Sequence, residues 1–77
     1  MALIKELEKL EKERYSDHSE TRATYSVFSI GDCKYLQIDT YGSTSREYKG
    51  KVSQSIQLDE EEIKKLVNII ISNFGTL

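Results

Sequence analysis

Seventy-seven residues with no proline, 38% hydrophobic content and a net charge of −2 describe one small domain near the lower size limit for independent folding. One cysteine, Cys33, and one histidine, His18, exclude an internal disulfide and a structural zinc site of about four ligands, and no cofactor or metal is expected. The mild acidity argues against gripping duplex nucleic acid by bulk charge.

Oligomerisation is the stabilising device that remains, so a homodimer is the expectation. The amphipathic, charged N-terminus carries no apolar run after its basic residues. This predicts neither a signal peptide nor a membrane span, and with the unpaired cysteine it points to a cytoplasmic protein.

From Ala2 to Arg14, Leu3, Ile4, Leu7 and Leu10 recur at helical spacing among lysines and glutamates, which predicts an amphipathic helix over 2–14. Its apolar stripe is thin, so it must lie on another surface. Tyr15 to Thr21 is polar and reads as a linker, with His18 a solvated loop residue.

Two strands follow, 22–30 and 34–41, joined at Gly31-Asp32. A glycine at the first central position suits a two-residue type II′ turn and pairs Ile30 with Cys33. Counting outward, Val27 faces Leu36, Tyr25 faces Ile38 and Ala23 faces Thr40 on one apolar side. On the other side Phe28 meets Tyr35, Ser26 meets Gln37, Thr24 meets Asp39 and Arg22 meets Tyr41. A one-residue slip would exchange the faces, so turn chemistry and pattern support one another.

The loop from Gly42 to Gly50 is polar and glycine-bounded, and carries Arg46, Tyr48 and Lys49. Residues 51–58 alternate again and predict a third strand, most simply antiparallel to the second. Asp59-Glu60-Glu61-Glu62 is a strong helix start, with an aspartate cap, a glutamate three residues on and acid against the helix dipole. Ile63, Leu66, Val67, Ile70 and Phe74 make the stripe of a helix over 60–74, and Gly75 is its stop. Ile69 and Ile71 widen that stripe, which marks Leu66, Ile69, Ile70 and Ile71 as a candidate dimer interface. The expected fold is α+β: an N-terminal helix, a three-stranded antiparallel meander and a C-terminal helix on one sheet face.

The candidate chemistry is a binding surface. Phe28, Tyr35 and Tyr41 lie beside Gln37, Ser53, Ser55 and Gln57, with Arg22, Arg46, Lys49 and Lys51 at the rim. Rings that stack on bases and cations that track phosphates are what single-stranded nucleic acid binding uses. Arg46 leads the cations because its planar fork can hold a phosphate bidentately. The competing reading packs Leu3, Leu7 and Leu10 of an N-terminal helix over Phe28 and Tyr35, making them core. Asp39 with Glu47-Tyr48-Lys49 resembles the carboxylate and Glu-x-Lys set by which nucleases hold a metal, but here it falls in a serine-rich loop.

In organisation, Tyr35 to Asn73 resembles the single-stranded-DNA-binding family of the transcriptional positive-coactivator type. The resemblance rests on KYLQIDTYG, Gly50-Lys51, Ile56-Gln57-Leu58 and Asp59-Glu60-Glu61 with the helix after them. It implies a helix-built dimer and DNA contact through an open sheet face, with Lys51, Tyr41 and Arg46 as contact residues. LQIDTYGS and GKVSQSIQLD also look like a short bacterial domain labelled methionyl-tRNA formyltransferase, although nothing here resembles that enzyme's folate-binding or catalytic segments.

The sequence therefore leads to a non-catalytic protein that binds single-stranded nucleic acid through an open sheet face and the basic 42–51 loop, using Phe28, Tyr35, Tyr41, Arg46, Tyr48, Lys49 and Lys51. The alternative is a protein-interaction module, such as a phage- or plasmid-encoded inhibitor or regulator.

Overall fold

The computed structural model describes residues 1–42 and 51–76. It has four strands and one helix in the order β1 (Ala2–Ile4), β2 (Ala23–Ile30), β3 (Cys33–Thr40), β4 (Gln54–Asp59) and α1 (Glu60–Phe74), with β2 and β3 forming a hairpin. Gly31 takes a φ of 61° while no non-glycine residue among the described residues has positive φ, as a type II′ turn requires. The β2–β3 register follows from that turn, from Ile30 opposite Cys33 to Ala23 opposite Thr40.

Strand β3 pairs on its other side with β4, antiparallel, placing Leu36 beside Leu58 and Ile38 beside Ile56. Ser53 extends the ladder by donating its N–H to the Thr40 carbonyl at 2.7 Å. The regular strand opens at Gln54, later than the alternation from Lys51 suggests.

The expected N-terminal helix does not form. Ala2–Ile4 is instead a short strand lying parallel to β4, with Ala2 opposite Ile56 and Ile4 opposite Leu58. The sheet therefore has four strands in mixed orientation, ordered β1-β4-β3-β2, and the three-stranded meander is corrected with it. The physical reason is competition for hydrogen bonds. An isolated helix of about 13 residues is marginal in water, whereas the outer edge of β4 offers a row of unpaired backbone groups that three N-terminal residues can satisfy. Residues 5–22 then run without regular structure, and Leu10 stays 68% exposed.

Helix α1 follows β4 without a linker. Asp59, the last strand residue, has extended backbone and accepts from the Glu62 N–H at 3.1 Å. At the other end Gly75 (φ 85°) donates its N–H to the Ile71 carbonyl. The first turns of α1 lie on the side of the sheet that carries Val27, Leu36 and Leu58, with Ile63 beside Val27 and Leu36.

Leu58 is the one buried hydrophobic residue among the described residues, at 3% exposure. It sits on a strand paired on both sides and under the start of α1. Leu58→Ala is expected to cost about 2–5 kcal/mol, which rivals the whole net stability of a domain this small. Urea denaturation followed by far-UV circular dichroism should show the midpoint collapse.

Candidate nucleic-acid interface

Side chains alternate along a strand, so the face opposite α1 collects Thr24, Ser26 and Phe28 from β2, Tyr35, Gln37 and Asp39 from β3, Ser55, Gln57 and Asp59 from β4, and Leu3 from β1. Phe28 and Tyr35 stack across the hairpin, with ring centroids 5.5 Å apart and planes inclined by 23°. Both rings are half-buried. The neighbouring Cys33 side chain is the main cause that holds the Tyr35 hydroxyl above its ordinary titration value of 10.0, with burial adding to it. Tyr35 therefore remains a neutral donor and acceptor throughout the physiological range.

Beside the rings runs a chain of directed hydrogen bonds. Gln57 Nε2 donates to Gln37 Oε1 at 2.8 Å, and Gln37 Nε2 donates to both Asp39 carboxylate oxygens at 3.0 and 3.1 Å. With Ser55, these groups line an open groove walled by Met1, Leu3 and Val52. At the far end of the hairpin the Arg22 guanidinium lies 4.2 Å from the Tyr41 ring centroid, a cation–π contact. The Tyr41 hydroxyl is 2.7 Å from that of Thr24, which fixes the ring's tilt.

The structure thus brings Phe28 and Tyr35 together and places Tyr41 at the end of the same hairpin. No N-terminal helix forms to cover them: Leu3 reaches this face from β1 and is 44% exposed, Leu10 is 68% exposed, and Leu7 is half-buried. Lys51 is exposed at the approach to β4. Arg46, Tyr48 and Lys49, with the rest of 43–50, lie outside the described residues. On α1, Leu66 is half-buried and Ile69, Ile70 and Ile71 are exposed. Among the described residues no group of histidine, cysteine, aspartate or glutamate is arranged to hold a metal.

The pair that sequence reasoning missed is Lys5 and Asp59. Lys5 Nζ donates to Asp59 Oδ2 at 2.8 Å, although the residues stand 54 positions apart. Asp59 was legible as a helix cap, but its partner depended on β1 being a strand. That strand carries Lys5 to the C-terminal end of β4.

No family model, curated protein or solved structure matches this chain.

The Lys5 hydrogen bond, followed by the Glu62 N–H, holds the Asp59 carboxyl below its ordinary value of 3.8, and the same contact raises Lys5 above 10.5. A carboxylate with a lowered folded value contributes stability that is present above the ordinary value and is lost as pH falls through the lowered one. Asp59→Asn keeps an oxygen for the Glu62 N–H but removes the charge. Chemical denaturation across the acidic range should give a shallower loss of stability in Asp59→Asn than in the wild type.

Proposed function

We propose that the protein binds single-stranded nucleic acid on the sheet face opposite α1. The observation that carries this reading is the stacked Phe28–Tyr35 pair, with Tyr41 and its Arg22 partner further along the same hairpin, on a face that no helix covers. Bases stack on such rings with about 1–3 kcal/mol each, whatever their identity. The Gln57–Gln37–Asp39 chain adds amide and carboxylate groups able to meet base edges beside them. Arg22 and Lys51 supply charge for the phosphates, and Arg46 and Lys49 in the loop add to it by their chemistry. Catalysis forms no part of the proposal.

Two carboxylates on the same face, Asp39 and Asp59, favour a second reading. They suit a protein partner with cationic side chains better than a phosphate backbone. The two readings differ in salt dependence, because phosphate contacts release counterions and weaken steeply as salt rises, whereas a protein interface with an aromatic centre does not.

Fluorescence anisotropy of short labelled single strands, titrated at low and high salt with duplex as control, tests the proposal. Binding to single strands should fall with salt, and Tyr35→Ala should weaken it about tenfold or more, the equivalent of one lost base stack. Arg46→Ala combined with Lys51→Ala should abolish it at moderate salt. Affinity that survives both changes would exclude this surface, and no binding at low salt would leave the protein-partner reading.

A further inference from the structure

Strand β2 is an outer strand of the sheet, and nothing among the described residues pairs with its free side. Which backbone groups are left open follows from one hydrogen bond. The Arg22 carbonyl accepts from the Tyr41 N–H at 3.2 Å, which makes Arg22 and Tyr41 a hydrogen-bonded pair of the ladder. Such pairs alternate along antiparallel strands. Thr24, Ser26, Phe28 and Ile30 therefore turn their N–H and C=O groups toward β3. Ala23, Tyr25, Val27 and Ser29 turn theirs outward.

Natural sheets protect such an edge with charge, proline, a bulge or brevity. Here there is none of these. The eight residues ATYSVFSI contain no charged side chain and no proline, and their pairing with β3 runs without a break. The opposite edge of the sheet is guarded in the usual manner: β1 is three residues long and is followed at once by Lys5 and Glu6.

The side chains along the free edge are equally uncovered. Tyr25, Val27 and Ile30 are 78%, 54% and 67% exposed. Tyr25 and Val27 share their face with Ile56, which is 37% exposed, and with Ile63 of α1, and further along that helix Val67, Ile70 and Phe74 are exposed as well.

The whole molecule shows the same deficit. Its accessible surface is 7154 Å², whereas a compact monomer of its 8.9 kDa mass would expose roughly 4,800 Å². Its radius of gyration is 14.7 Å, against about 11.5 Å for a compact chain of this length. Residues 5–22 account for part of the excess.

We infer that a second copy of this chain pairs along β2, antiparallel to it across a twofold axis, so that two four-stranded sheets become one continuous sheet. A copy is the occupant that the edge suits. An antiparallel partner sets outward-facing residues opposite outward-facing residues, for example Tyr25 of one copy opposite Val27 of the other, with the inward-bonded Ser26 of each copy meeting on the twofold axis as a non-hydrogen-bonded pair. Apolar face then continues apolar face, and polar face continues polar face. Because Ala23–Ile30 carries no charge, the twofold brings no like charges together along the strand. The two α1 helices lie on the same side of the joined sheet as a shared Tyr25–Val27 strip. The polar face stays open on the other side.

Val27→Pro tests the pairing. It removes an outward N–H and leaves every β2–β3 hydrogen bond intact, since proline is tolerated where an edge strand's N–H faces solvent. Sedimentation equilibrium should give twice the 8.9 kDa chain mass for the wild type and for Val27→Thr, and the single-chain mass for Val27→Pro with an unchanged circular dichroism spectrum. Amide hydrogen exchange of the wild type supplies a second readout that needs no variant. The outward Tyr25 and Val27 amides should be protected in the dimer and lose that protection on dilution, while the Ser26 and Phe28 amides stay protected. A dimeric, folded Val27→Pro protein would overturn the inference. So would a wild type that is monomeric at high concentration, or a dimer whose Tyr25 and Val27 amides exchange freely.

Discussion

Strand β4 is the constraint on which the rest of this structure depends. It is paired on both sides, antiparallel to β3 and parallel to β1, and it carries the buried Leu58. Its last residue, Asp59, caps the helix that lies against it and holds Lys5 of the N-terminal segment. Six residues thus join the sheet, anchor the helix and recruit the N-terminus. The cost is concentration: there is little core elsewhere to compensate if β4 is disturbed, as expected of a chain near the lower size limit for folding.

The two faces of the sheet divide the chemistry cleanly. One face is apolar and only partly covered, because α1 rests on it through its first turns and leaves Val67, Ile70 and Phe74 exposed beyond them. The other holds rings, amides and carboxylates that satisfy one another across strands without a helix above them. An apolar face that demands burial and a polar face that does not set the two sides of the sheet apart chemically. Glu62 shows how sparing the packing is. Its carboxylate is buried, with Lys65 3.4 Å from one oxygen and the other oxygen lacking a hydrogen-bond partner.

Much of the sheet's polar face was legible from sequence because hairpin geometry is local. Once Gly31-Asp32 is read as the turn, the positions of Phe28, Tyr35, Gln37 and Asp39 on a common face follow by counting in twos. The link from that face to Lys5 was not legible. Leu3, Ile4, Leu7 and Leu10 fit a helical period, and three apolar residues are too few to establish a period of two. The Arg22–Tyr41 contact lay between these cases: the register predicted the pairing, while the guanidinium's position over the ring is a matter of packing.

The sequence by itself determined those elements whose stabilising interactions lie within a few residues. Gly31 sets the β2–β3 register through its backbone freedom, and Asp59 and Gly75 bound α1 through their own hydrogen bonds. Only the tertiary structure decided the state of the N-terminus. Ala2–Ile4 becomes a strand because β4, more than fifty residues away, presents an open edge whose hydrogen bonds outweigh a weak local helical preference. A local pattern records what a segment favours alone, and it holds no information about the distant backbone that satisfies the segment's N–H and C=O groups.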